Sequence, residues 1–85
     1  MINQLMKKID EYIKDPSSNS EYGMASFIER YAVDNYEEIE KENAIVARYM
    51  NDDLIDICEK TEPGLEGTEF RDELEEAYHK IKELL

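Results

Sequence analysis

The stretch NAIVARYMNDDLIDICEK, residues 43–60, decides the fold class because its apolar residues recur every three or four positions. That spacing is typical of an amphipathic α-helix, whereas a half-buried strand alternates at every second residue. Asn43 stands where an asparagine side chain accepts hydrogen bonds from the first turn of a helix. We therefore predict a helix over 44–60 that begins after Asn43. Its expected buried residues are Val46, Met50, Leu54, Ile57 and Cys58.

The same helical spacing is found in the N-terminal part of the chain. A first helix is predicted over 2–14, and the segment DPSSNS that follows favours a turn. Ser18 and Glu21 have the spacing of a capping box, which predicts that a second helix begins near Ser20. The expected buried residues are Ile2, Leu5, Met6, Ile9, Tyr12 and Ile13 in the first helix and Met24, Phe27, Ile28 and Tyr31 in the second.

The acidic segment 33–43, VDNYEEIEKEN, is compatible with two structures. Asn35 can cap a short separate helix through Glu40, in which Tyr36 and Ile39 are buried. Alternatively, the segment forms the start of the helix that continues over 44–60.

The segment TEPGLEGT, residues 61–68, is the clearest break in the helical pattern because it combines one proline with two glycines. Thr68 is predicted to cap a last helix. The apolar stripe of that helix is Phe70, Leu74, Ala77, Tyr78, Ile81, Leu84 and Leu85.

These helices predict an all-α fold. Four main helices joined by short loops indicate a compact antiparallel four-helix bundle, with a short extra helix near 35–42 as the open alternative. A chain of 85 residues without a linker or an internal repeat is expected to form a single domain over 1–85.

The chain is strongly acidic, with 22 acidic and 10 basic residues and a net charge of −12. The excess lies in the middle: residues 21–73 hold 16 acids and 5 bases, whereas residues 1–18 hold 3 of each. Negative charge of this size disfavours direct contact with nucleic acid or an anionic membrane and attracts a basic protein. Neither a signal peptide nor a membrane-spanning stretch is recognisable, so we expect a cytoplasmic protein.

Several acids of the 44–60 helix are expected on its outer face. At the spacing of an ideal helix, Asp52, Asp56 and Glu59 lie opposite the buried stripe, within about 60° of one another. Ile45 and Tyr49 point the same way, and an aromatic side chain among carboxylates is typical of a protein interface. In the alternative interpretation, a neighbouring helix covers Ile45 and Tyr49, and the acids only interact with solvent.

The candidate partner-binding residues combine these acids with those that follow them along the chain. Glu59 is of special interest because a carboxylate is disfavoured at the end of a helix, which makes a functional reason for it more plausible. Glu69 also has a structural reason, since negative charge is favourable at a helix start. The full predicted set is Tyr49, Asp52, Asp53, Asp56, Glu59, Glu62, Glu66 and Glu69.

Catalytic and metal-binding motifs are weak. Glu76 and His79 match the Glu-x-x-His spacing of di-iron bundles, but such a site needs two pairs, and the chain has one histidine. Cys58 stands among the expected buried residues with no histidine nearby to activate it. A calcium loop and a glycine-rich phosphate loop are also missing from the sequence. We therefore predict a non-enzymatic protein without a metal or a cofactor.

The chain resembles the colicin D immunity proteins in three places. These are Phe27-Ile-Glu29-Arg30, the stretch ICEKTEPGLEG at 57–67, and an amphipathic helix that runs to the C-terminal residue. The order and spacing of these pieces agree over about two thirds of the chain. The resemblance implies a small cytoplasmic helical bundle that inactivates a tRNA-cleaving toxin domain by covering its basic cleft with acidic residues.

The resemblance also implies part of the contact set. Glu59 and Glu62 match the family's acids around the end of the third helix, and Pro63 matches the proline after them. The family has an acid directly after that proline, whereas this chain has Gly64, and its next acid is Glu66. This difference leaves the contact set open at that point and is compatible with a different cognate toxin.

Three functions are compatible with the sequence. The first is an immunity protein that forms a one-to-one heterodimer with a basic nuclease toxin domain, its carboxylates taking the place of nucleic-acid phosphates. The second is a phage-type nucleic-acid mimic that inhibits a restriction or RNA-guided nuclease. The third is a non-catalytic acidic adaptor bundle, with Ile45 and Tyr49 available for self-association.

Overall fold

The computed structural model describes residues 1–61 and 69–85, and all regular secondary structure in these residues is helical. The all-α prediction is confirmed for this part of the chain, while the predicted cap Thr68 lies outside it. The radius of gyration is 11.9 Å, as expected for a compact chain of this length. The elements are α1 (Ile2–Lys14), a 3-10 turn (Pro16–Ser18), α2 (Glu21–Asp34), α3 (Tyr36–Glu42), α4 (Ala44–Tyr49), a π-helical segment (Met50–Leu54), α5 (Ile55–Glu59) and α6 (Glu69–Leu84).

Helix α1 agrees with its prediction in both bounds and burial. All six of its predicted core residues are buried. The helix ends before Pro16, which has no N–H to continue the hydrogen-bonding pattern. Near this end, Lys14 Nζ lies 2.9 Å from the Asp10 carboxylate, one helical turn earlier.

Helix α2 begins near Ser20, as predicted, but its N-cap is Ser20 and not Ser18. Ser20 Oγ accepts a hydrogen bond from the Gly23 N–H at 2.9 Å. The predicted capping box of Ser18 and Glu21 is wrong, because Ser18 belongs to the preceding 3-10 turn.

The apolar stripe of α2 is only partly buried. Met24 and Ile28 lie in the core, whereas 37% of Phe27 is exposed. Tyr31 is half-buried, and its hydroxyl donates to the Met1 carbonyl oxygen at 2.7 Å.

The segment before residue 44 forms the separate helix α3. It buries Ile39 and half-buries Tyr36. Asn35 precedes this helix without capping it through its side chain, because its Nδ2 donates instead to the Tyr31 carbonyl oxygen at 2.9 Å. Asn43 does act as the predicted cap, since its Oδ1 accepts from the N–H groups of Ile45 and Val46, both at 3.1 Å.

Residues 44–59 form one continuous helical run with a π-helical segment at its centre. The N–H of Ile55 donates to the Met50 carbonyl oxygen five residues earlier, which is the π-helical pattern. A wider turn fits this sequence because four of its five buried residues, all except Ala47, are separated by four positions each time, and four residues overshoot an ideal α-helical turn by about 40°. The buried row is Val46, Met50, Leu54 and Cys58.

The π-helical segment also changes the environment of Ile57. The prediction of a fully buried Ile57 is wrong: the side chain is half-buried and packs against the edge of the core. The wider turn keeps Leu54 and Cys58 in line with Met50, so Ile57 lies beside that row.

Helix α6 is attached at both ends to other helices. Near its start, the Phe70 ring packs edge-on against Tyr12 with 6.0 Å between centroids. Arg71 Nε donates to the Ile13 carbonyl oxygen at the end of α1, at 3.1 Å. Near the other end, Asn43 Nδ2 donates to the Leu84 carbonyl oxygen at 3.2 Å.

Burial along α6 follows the predicted stripe except at its last residue. Phe70, Leu74, Ala77 and Ile81 are buried, while Tyr78 and Leu84 are partly buried against the core. The prediction is wrong for Leu85, of which 58% is exposed, because it lies beyond the end of the helix.

The buried residues of these helices form a hydrophobic cluster with contributions from α1, α2, α3, the 44–59 run and α6. Within the described ranges, no charged or polar side chain is buried in it. No helix there is both long enough and apolar enough to cross a membrane.

Candidate partner-binding surface

The π-helical segment arranges the 44–59 run into rows of residues spaced by four. Because the buried row keeps this spacing along the whole run, the other rows keep it too. The row Arg48, Asp52, Asp56 and Lys60 is exposed throughout. The row Ile45, Tyr49, Asp53 and Ile57 alternates between exposed and half-buried residues.

Asp52 and Asp56 lie in the exposed row, as predicted for partner-binding acids. Neither carboxylate has an ion pair or a hydrogen bond with another residue of the described part of the chain. The row also contains Arg48 and Lys60, so it is not uniformly negative. Lys60 is engaged elsewhere, with Nζ 3.4 Å from Glu73 Oε1 of α6.

Glu59 is exposed at the end of α5, close to the buried Cys58. Burial raises the pKa of the Cys58 thiol to about 12, and the negative charges of Glu29 and Glu59 add to this effect. The thiolate is the reactive form of cysteine, so this environment makes Cys58 a poor nucleophile. The burial of Cys58 confirms the prediction of a core cysteine.

Tyr49 and Ile45 differ in their environments. Ile45 is 62% exposed, whereas Tyr49 is half-buried and packs against the core. The sequence left two interpretations open for these residues. Ile45 is exposed, as in the first, whereas Tyr49 is partly covered by a neighbouring helix, as in the second. The exposure of Tyr49, which the sequence left open, is therefore reduced by partial cover.

The helix that partly covers Tyr49 is α6, and the two form a groove. Tyr49, Asp53 and Ile57 line one side, and Glu73, Glu76 and Ala77 of α6 line the other. Burial, then the carboxylates of Asp53 and Glu76, raise the pKa of the Tyr49 hydroxyl. Both carboxylates, one from each helix, therefore act on the same hydroxyl.

The remaining predicted acids lie near the segment 62–68. Glu62 and Glu66 fall outside the described residues, as do Pro63 and Gly64 of the family resemblance. Glu69 is exposed as the first residue of α6.

Two groove residues of α6, Glu73 and Glu76, were not among the predicted partner-binding residues. A signal for half of the groove was present in the sequence, since Tyr49, Asp53 and Ile57 have the same four-residue spacing as the buried row. The other half depends on the contact between two helices that are distant in sequence, which periodicity within one helix does not reveal.

His79 is exposed, as predicted, and its Nε2 lies 4.0 Å from the Glu75 carboxylate. Within residues 1–61 and 69–85, no group of three or more His, Cys, Asp and Glu side chains is placed to hold a metal ion.

Comparisons with protein-family models, with curated proteins and with solved structures found no significant match to the chain.

Proposed function

We propose that the protein is an immunity-type inhibitor that binds and blocks the basic active-site cleft of a cognate nuclease toxin, a tRNA-cleaving domain. The complex is a one-to-one heterodimer formed in the cytoplasm. The inhibitor is an antiparallel four-helix bundle whose main helices are α1, α2, the 44–59 run and α6. The surface carboxylates of the 44–59 run take the place of the phosphates of the nucleic-acid substrate.

The observation that carries this proposal is the state of the acids on the 44–59 run. Asp52, Asp53, Asp56 and Glu59 are all exposed. Among the described residues, no cation lies within ion-pair distance of any of the four. A nuclease needs lysine and arginine side chains around its cleft to bind phosphates, and exposed carboxylates on a helix offer these cations a complementary surface.

The position of these acids on a packed helix favours tight binding. The run is fixed by its buried row and by the Asn43 cap, so the backbone that carries its carboxylates does not have to be ordered when the complex forms. Negative charge around the site also steers a basic partner toward it, and this effect weakens as salt is added.

The test is to capture the partner and then to reverse charges on the proposed surface. Tagged protein is incubated with lysate of producer cells at low salt, and the bound proteins are released with guanidinium. We expect to recover a small basic domain that cleaves RNA after renaturation. Its RNA cleavage should stop when the inhibitor is added back. Recovery of a large restriction or RNA-guided nuclease, or of no partner, contradicts the proposal and supports a phage-type inhibitor or an adaptor, respectively.

The charge reversals use two double variants with the same change in net charge. Asp56→Lys with Glu59→Lys is expected to weaken binding of the toxin by about 100-fold or more, because charge pairs at the centre of such interfaces couple strongly. Glu37→Lys with Glu40→Lys, both exposed on α3, is the matched control and should mainly slow association. Equal losses in the two variants would mean that general attraction, and not this surface, accounts for binding.

A further inference from the structure

The groove between the 44–59 run and α6 combines apolar side chains with carboxylates. Ile57 and Tyr49, which line it, are half-buried, and Ala77 is buried. Asp53 and Glu76, both exposed, bring negative charge to the groove from its two sides. This composition is suited to a side chain that is long and apolar along its length and positively charged at its end.

The three carboxylates of the groove differ in whether they have an ion-pair partner. Glu73 is paired with Lys60 at 3.4 Å, which neutralises one part of the groove. Asp53 and Glu76 have no ion pair or hydrogen bond with any residue that the structure describes. Lys80 also lines the groove, four residues after Glu76, without forming an ion pair with it. The net charge of the lining is therefore negative, and its unpaired carboxylates lie near Tyr49.

We propose that this groove is the anchor site for an arginine side chain of a basic protein partner, held by Tyr49, Asp53 and Glu76. The identification of the partner as a basic protein rests on the proposed function. A guanidinium group fits this groove better than an ammonium group does because it stacks on aromatic rings, donates hydrogen bonds in a planar fork to carboxylates and is more weakly hydrated. Tyrosine and arginine are also the residue types that most often dominate binding at interfaces.

The proposal can be tested without the toxin, with hexa-arginine as the probe and hexalysine as the comparison. Each peptide is titrated at low salt into ¹⁵N-labelled protein, and amide chemical shifts are followed by NMR. The largest shifts with hexa-arginine are expected at Tyr49, Asp53 and Ala77, with a Kd about two- to fivefold lower than that of hexalysine. Equal affinity for the two peptides, or shifts centred on Asp52 and Asp56, would overturn the proposal.

Two pairs of variants separate the groove from general charge attraction. Asp53→Asn with Glu76→Gln should weaken hexa-arginine binding at least about fivefold. Glu37→Gln with Glu40→Gln removes the same charge from α3, outside the groove, and should cost less than about twofold. All four side chains are exposed, so these changes leave the core intact. Equal losses in the two variants would overturn the proposal.

Lys80 supplies a variant with the opposite sign. Lys80→Gln removes a cation from the groove and should strengthen hexa-arginine binding, whereas Lys41→Gln, exposed on α3, should leave it nearly unchanged. No difference between the two lysine variants would count against an arginine site at this place.

The peptide experiments test the anchor site and the toxin experiments test the proposed function, so either proposal can be contradicted without the other. Specific arginine binding in the groove without any nuclease partner would retain the anchor site and overturn the proposed function. Toxin inhibition that survives Asp53→Asn with Glu76→Gln unchanged would retain the proposed function and overturn the anchor site.

Discussion

Helix α1 and the 44–59 run are both amphipathic, but their buried residues are spaced differently, and their helical geometry differs accordingly. The buried residues of α1 are separated by one, three or four positions, which an ideal α-helix places on one side. Four of the five buried residues of the 44–59 run form a row separated by four positions at every step, and an ideal α-helix would turn such a row by about 40° at each step. The fifth, Ala47, follows Val46 directly. The π-helical segment Met50–Leu54 makes the difference, since its wider turn keeps the row in line.

The difference has a functional consequence. In α1 the outer face carries both signs of charge, as in the ion pair of Lys14 with Asp10. In the 44–59 run, the four-residue spacing separates an exposed row from a second row, of which Tyr49, Asp53 and Ile57 line the groove beside α6. A π-helical segment is often found at a functional site, and here it contains Asp53 and directly follows Tyr49.

The largest effects are expected when one exposed residue is deleted from each of the two helices, because a deletion turns the residues that follow it relative to the core. Deleting Lys7 turns Ile9, Tyr12 and Ile13 of α1 by about 100° and out of the core. Each of these side chains contributes about 1.5–3 kcal/mol when buried, so together they approach the whole stability of a small domain. We expect this variant to be unfolded or nearly so, as measured by thermal denaturation followed by circular dichroism.

Deleting Asn51 is expected to have a much smaller effect. Without it, the residues of the buried row are separated by four, three and four positions, a spacing that a regular α-helix accommodates. The variant should remain folded, with a loss of about 1–2 kcal/mol for local repacking. If it unfolds like the Lys7 deletion, the π-helical segment is not what adapts the helix to its sequence.

The same contrast explains how far the sequence predicted the fold. The bounds and buried residues of α1 were predicted correctly because its spacing matches the ideal period that sequence analysis assumes. Applied to residues 44–59, that period placed Ile57 in the core, which was wrong, and left open whether Tyr49 is exposed or covered. The cover of Tyr49 also depends on α6, more than twenty residues away in sequence. The roles of the candidate acids remain predictions.

The two helices also differ in how their first turns are capped. The 44–59 run has a local cap, because Asn43 accepts from the N–H groups of its first turn. Helix α1 has no side-chain cap of its own at Met1. Its first turn is held instead by Glu42, which accepts from the Ile2 N–H at 3.1 Å and lies 2.8 Å from the Met1 amine.

Replacing Asn43 should have the larger effect of the two. Asn43→Ala removes the local cap and also the bond to the Leu84 carbonyl oxygen at the end of α6. We expect a loss of about 1–2 kcal/mol, measured by urea denaturation. Ser20→Ala, the control, removes one cap bond of α2 and should cost about 1 kcal/mol or less. Equal costs would show that the bond to α6 contributes nothing measurable.

Replacing Glu42 should have a smaller effect that depends on pH. Hydrogen bonds from the Met1 amine and the Ile2 N–H hold the pKa of the Glu42 carboxyl below its ordinary value of 4.5. A carboxyl whose pKa is lowered by folding stabilises the folded state above its unfolded pKa, and this contribution disappears as the pH falls through the folded pKa. Glu42→Gln should therefore lower the unfolding midpoint slightly at pH 7 and leave it unchanged at a pH well below 4.5.

The matched control for Glu42 is Glu40→Gln, which removes the same charge from an exposed position of α3 with no ion-pair partner in the described chain. In a protein with a net charge of −12, this change should be neutral or slightly stabilising at pH 7, since it reduces repulsion among the acids. Opposite signs for the two variants at pH 7 would identify Glu42 as the residue that caps α1 from outside. A Glu42→Gln variant as stable as Glu40→Gln at every pH would instead mean that α1 holds its first turn through its buried face alone.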